Sequence, residues 1–87
     1  MYWDIVAAKP QRNRCLYLTF RDGLAGNVHL PDHLLTGALE PLRDENFFAG
    51  VFLDQGTVAW PGEIDLAPDA LYRMLQAQLE SETALAS

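Results

Sequence analysis

The chain has 87 residues, a formal charge of -6 from 12 acidic and 6 basic residues, and a hydrophobic fraction of 49%. That length holds one domain, and the apolar share exceeds what an acidic disordered chain carries, so a folded core hiding about 60 to 65% of the unfolded surface is expected. A single cysteine, Cys15, excludes an internal disulfide and an all-thiolate metal site, and the acidic balance repels phosphate.

Met1-Tyr2-Trp3-Asp4-Ile5-Val6 has no basic segment ahead of an apolar run, and no apolar stretch approaches the roughly 18 to 20 residues that cross a bilayer. A cytoplasmic protein, neither secreted nor membrane-spanning, is expected. Residues 3–8 are β-prone and stop at Lys9-Pro10, where the missing N–H ends regular pairing. Leu16, Leu18 and Phe20 then alternate with Cys15, Tyr17, Thr19 and Arg21, which puts three large apolar groups on one face of a strand. Asp22-Gly23 suits a two-residue hairpin turn, after which Gly26, Val28 and Leu30 alternate with Asn27 and His29. A three-stranded meander is the simplest result.

Pro31 to Gly37 has the grammar of one short helical turn, and Pro41 to Gly50 repeats it with Asp44 as N-cap and Phe47 and Phe48 plugging the core edge. Val51-Phe52-Leu53 and Thr57-Val58-Ala59-Trp60 flank Asp54-Gln55-Gly56 as a second hairpin, and Pro61 forbids further ladder donation. A last helix starts at Pro68, with Asp65 and Asp69 at the positive end of its dipole, and Asp69 and Arg73 spaced i, i+4. Leu71, Met74, Leu75, Gln78 and Leu79 form its inward stripe. The spacing therefore predicts an α+β two-layer sandwich over residues 1–80, with an antiparallel sheet of about five strands covered on one face by the C-terminal helix and short helical turns. Residues 81–87 read as a fraying tail.

Few residues carry chemistry. His29, His33 and Asp32 contain metal-ligand types, yet a strand and a post-proline turn do not bring them to one helical face. Cys15 and His29 on adjacent strands are the only nucleophile–base pair of the right elements, and no oxyanion-type glycine motif accompanies them. Glu63 and Asp65 read as helix-dipole partners rather than paired catalytic carboxylates, and Gly23 and Gly26 are hairpin glycines, not a phosphate loop. Lys9, Arg12 and Arg14 form a weak basic patch. No catalytic, metal or cofactor site is expected.

The closing segment Trp60-Pro61-Gly62-Glu63-Ile64-Asp65-Leu66-Ala67-Pro68-Asp69-Ala70-Leu71-Tyr72 resembles the Trp-Pro-x-Gly-x-Asp-Leu-x-Pro-Asp-x-Leu-Tyr signature of a small bacterial family of unknown function. Leu18-Thr19-Phe20-Arg21-Asp22-Gly23 is similar to that family's Leu-x-Val-Thr-Phe-x-Asp-Gly strand, and Pro41-Leu42-Arg43-Asp44 to its Pro-Leu-x-Asp before a Phe. Gly62-Glu63 departs from the pattern, which has a polar residue followed by Gly. The resemblance implies a two-layer α+β fold, a frequent genomic setting beside small proteins of toxin–antitoxin type, and no catalytic residues. It also marks Trp60, Pro61, Asp65, Pro68, Asp69, Leu71 and Tyr72 as structural signature positions.

The functional expectation is a non-catalytic protein-interaction domain whose sheet face or edge binds a protein partner or a second copy of itself; the specific form, an acidic antitoxin-like partner that masks a small basic protein, is what the resemblance implies. Tyr17, His29 and Arg21 are the expected interaction residues. Two alternatives stand beside it. A nucleic-acid-associated regulatory domain, disfavoured by the net charge, would show Lys9, Arg12, Arg14 and Arg21 as one basic stripe; a small-ligand or metal-binding protein would use the histidines.

Overall fold

The computed structural model describes the backbone of residues 1–86 and the side chains of residues 1–81. The tail expected at 81–87 lies, from 82 on, outside the described side chains. Six strands form two three-stranded antiparallel sheets. β1 (Ile5–Gln11), β2 (Cys15–Phe20) and β3 (Ala25–His29) are ordered β1-β2-β3; β4 (Phe52–Asp54), β5 (Thr57–Trp60) and β6 (Ile64–Leu66) are ordered β4-β5-β6. Between the sheets run two 3-10 helical turns, Asp32–Leu34 and Gly37–Arg43, and the one-turn helix α1 (Glu45–Phe48); α2 (Pro68–Ala86) ends the fold. No described helix is long and apolar enough to cross a membrane.

The architecture is α+β, but the expected single sheet of about five strands is replaced by two sheets of three. One cause is β6, which the sequence presents as a lead-in to the helix and which instead pairs with β5 through Trp60↔Ile64, Ala59↔Asp65 and Val58↔Leu66. Pro61 ends one strand, and the turn at 61–63 starts the next by taking Gly62 and Glu63 to φ 91 and 63. Glu63 thus occupies, in the left-handed region, the position where the resembling pattern has Gly, at a cost of roughly 1 kcal/mol. At its start β1 carries an irregularity between Ile5 and Ala7, with Ile5 still paired to Phe20. There the Ile5 N–H donates to the Gly56 carbonyl (2.8 Å), a single bond rather than a ladder between sheets.

β1 also continues through Pro10 to Gln11, contrary to the expected stop. As the outer strand of its sheet it pairs on one side only, with Pro10 opposite Leu16, and an edge strand tolerates a proline that donates nothing outward. The β2–β3 turn is wider than two residues. The Phe20 N–H reaches the Leu24 carbonyl (2.8 Å) around Gly23 at φ 95, and Asp22 Oδ1 accepts the Leu24 N–H (2.9 Å).

One core lies between the layers. Leu16, Leu18, Phe20 and Val28 contribute from the first sheet, Val58 and Trp60 from the second, Leu71 and Leu75 from α2, and Leu35, Leu42 and Phe48 from the connection. Asp44 caps α1 by accepting the Asn46 and Phe47 N–H groups (2.8 and 3.1 Å), as expected. Arg43 ties the helical turns together, donating to the Leu35 and Asp32 carbonyls (2.8 and 2.9 Å). Phe48 meets Trp60, with ring centroids 5.8 Å apart. The Trp60 indole N–H donates to the Phe48 carbonyl (2.8 Å), so the largest buried side chain also satisfies the end of α1. The helix stripe is as read. Gly26 lets it approach, because a Cβ there would stand 2.9 Å from Leu75 Cδ1.

Trp60→Ala should cost about 3–5 kcal/mol, while Trp60→Phe, which keeps a ring, loses the indole bond and leaves the Phe48 carbonyl only the longer bond from the Val51 N–H (3.3 Å), should cost about 1–3 kcal/mol, both read by urea unfolding. Near-wild-type stability of both would remove Trp60 from the core.

Candidate functional site

The face of the first sheet opposite the core carries Lys9, Tyr17 and Asn27 in one cross-strand row and Gln11, Cys15 and His29 in the next. Two expected interaction residues, Tyr17 and His29, therefore share a face, with Tyr17 40% exposed. Arg21 does not join them. It lies beyond the end of β2, where its Nε approaches Asp4 Oδ2 at 3.9 Å. The edges of this sheet are occupied. Gln78 of α2 accepts the His29 N–H (3.3 Å) and donates to the His29 carbonyl (3.4 Å), standing in for a neighbouring strand on β3. β1 carries Pro10 and its irregularity on the other side, with β4 beside it.

Cys15 and His29, expected on one face of adjacent strands, are direct cross-strand partners, a register that alternation alone does not fix. The thiol donates to the Asn13 carbonyl (3.7 Å), not to the imidazole. Among the described residues, no three His, Cys, Asp or Glu side chains are grouped to hold a metal ion. The basic residues divide between two ends of β2: Lys9, Arg12 and Arg14 gather near the β1–β2 turn, Arg21 at the far end. Arg14 faces the helical turns, donating to the Arg43 carbonyl (3.4 Å) and lying 3.8 Å from Asp32, with its Nε buried and unpartnered.

The signature residues play several parts. Trp60 and Leu71 are core, Pro61 opens the β5–β6 turn, Pro68 starts α2, and Asp69 pairs with Arg73 (3.0 Å). Asp65 is not a helix-dipole partner; it sits in β6 opposite Ala59. Tyr72 reaches across fifty positions to donate its hydroxyl to Asp22 Oδ2 (2.5 Å), with its ring edge-on to Phe20 and Tyr2 at 5.0 and 5.2 Å. Sequence spacing carries no sign of that pair. The bond, joined by the Leu24 N–H, holds the Asp22 carboxyl below its ordinary value, and the same carboxylate pushes the Tyr72 phenol up to about 12.

A surface that the sequence reading passed over lies on the outside of the second sheet. Phe52, Ala59 and Asp65 form one cross-strand row, and Asp54 follows Phe52 on the same face. Together with Pro61 and Glu63 they line a cleft of about 360 Å³ that contains no basic residue. Phe52 is 47% exposed, and among the described residues Asp54, Glu63 and Asp65 enter no ion pair. The readable sign was Phe52-Leu53: two apolar residues in succession on a strand point to opposite faces.

Compared with known proteins, residues 5–77 match the model of a family described as "Protein of unknown function (DUF2442)". Neither the curated proteins nor the solved structures contain a match.

The Asp22–Tyr72 bond sets a pH window. Asp22 is lowered on folding, so its contribution is present above its unfolded value of 3.8 and is lost as pH falls through the folded value. Tyr72 is raised, so its contribution is full below 10.0 and is lost as pH rises through about 12. The stability difference between the native chain and Tyr72→Phe should thus be flat from about pH 5 to 9 and shrink on both sides, measured by urea unfolding across pH. A difference unchanged at both extremes would rule out the bond.

Proposed function

Given that the chain belongs to the family of proteins of unknown function DUF2442, we propose that it is a small non-catalytic protein-interaction domain of the cytoplasm. In its specific form it is an acidic, antitoxin-like partner that covers a small basic protein with the outer face of β4-β5-β6. The observation that carries this reading is the cleft of that face, where exposed Phe52 stands beside three carboxylates that enter no ion pair among the described residues. An exposed aromatic ring supplies an anchor that gains from desolvation, and unpaired carboxylates supply both steering and complementarity toward a cationic surface. The net charge of -6 acts in the same direction at longer range.

The occupied edges of the first sheet favour binding through a face over strand addition, whether the partner is another protein or a second copy. Division of Lys9, Arg12 and Arg14 from Arg21 weighs against a nucleic-acid stripe, since a phosphate track needs its cations in line. The Cys15 thiol, bonded to a carbonyl, lacks the activating base that a nucleophile needs.

The test is capture from native cells by the tagged full chain at low and high salt, beside the variant Asp54→Asn/Glu63→Gln/Asp65→Asn. A basic protein should elute at high salt and be lost from the variant at either salt. Equal capture by the variant would move the contact off this face.

A further inference from the structure

We infer that the cleft between the turn at residues 1–4 and the start of α2 is a docking site for a proline-rich segment of a partner protein. The inference goes beyond the reading above and concerns a different surface. Tyr2, Trp3, Tyr72 and Gln76 line the cleft together with Asp69 and Arg73, around a volume of about 290 Å³. The Tyr2 ring meets Trp3 at 4.7 Å and Tyr72 at 5.2 Å, crossing them at 77° and 78°. Tyr2 nevertheless stays 55% exposed, and Trp3 and Tyr72 are half-buried, so all three rings of the row are open to an occupant. Both ends of the row are fixed. Tyr72 is fastened by its hydroxyl to Asp22 (2.5 Å) and packs edge-on to Phe20, and the turn that carries Tyr2 and Trp3 is held where the Asp4 carbonyl accepts the Arg21 N–H (2.8 Å). Rings fixed before binding lose little freedom when it occurs.

The polar groups of the cleft select the occupant. Asp69 and Arg73 are the charged residues of its lining, and they pair with each other at 3.0 Å, so neither an anion nor a cation finds an unmatched charge there. Donors are what the lining leaves unmatched. The Trp3 indole N–H and the Gln76 amide enter no hydrogen bond among the described residues, whereas the Trp60 indole is bonded in the core. Aromatic rings beside free donors suit a segment that offers apolar rings and carbonyl acceptors, already extended, and that brings no backbone N–H at the positions in contact. Proline alone among the residues meets all of these conditions. Other residues would carry backbone N–H groups into a cleft whose one carboxylate is already taken by Arg73.

Decaproline and a Gly-Ser peptide of equal length are the probes, each titrated into the full chain and followed by backbone-amide and indole NMR. Decaproline should shift the Trp3 indole N–H and the amides around Tyr2, Trp3 and Tyr72, leave the Trp60 indole N–H in place, and bind about tenfold or more tightly than the Gly-Ser peptide. Trp3→Phe, which keeps a ring and removes the donor, and Tyr2→Leu, which removes a ring, should each weaken that binding about fivefold or more. Both side chains lie outside the buried core, and retained spectral dispersion in either variant suffices for the comparison. Absence of decaproline binding, affinity equal to that of the Gly-Ser peptide, or shifts centred on other residues overturns the docking site. Tetramethylammonium binding to the same residues as tightly as decaproline would also overturn it, in favour of a cation site.

Discussion

Trp60 holds the second sheet, the helical connection and the core in one arrangement. Its ring is 1% exposed, and its only polar atom ends on the carbonyl of Phe48, so the side chain fixes the end of α1 as well as filling space. A buried N–H without an acceptor costs more than the bond itself gains, which makes this contact directional where hydrophobic packing is not. With the indole turned inward at Trp60, alternation along β5 turns Ala59 outward. The outer row Phe52, Ala59, Asp65 is therefore a consequence of the core contact.

The rest of the surface is closed in identifiable ways. Gln78, the one polar residue in the helix stripe, completes the hydrogen bonding of His29 on β3. Pro10 donates nothing outward from β1. Tyr72 ties the second turn of α2 to the β2–β3 turn through Asp22, so the helix is held near its start by a hydrogen bond and further by packing of Leu71 and Leu75. Against these satisfied elements the outside of β4-β5-β6 stands apart, because among the described residues its carboxylates enter no ion pair and the Phe52 ring joins no aromatic pair.

Much of the fold was legible because it follows from period. Leu16, Leu18 and Phe20 identified β2 and its inner face, Asp44 announced α1, and the Leu71–Leu75 stripe placed α2. The shared outer face of Cys15, Tyr17 and His29 followed from the same alternation, whereas the direct pairing of Cys15 with His29 is a matter of register. What failed depended on strand partners. Pro10 reads as a stop unless the strand is known to lie at an edge, and Ile64-Asp65-Leu66 is too short to announce a strand without β5 beside it. The Asp22–Tyr72 bond joins residues far apart in the chain and leaves no spacing to recognise. Within its hairpin Phe52 is only a strand residue; its place in an outer row depends on β5 and β6 beside it.

Amide hydrogen exchange of the full chain, alone and with the basic protein it captures, addresses the central claim most directly. Protection on binding should concentrate in β4, β6 and the turn at 61–63, with the Tyr17 and His29 face of the first sheet exchanging as before. Protection confined to β1, β2 and β3 would place the partner on the other sheet and contradict the account.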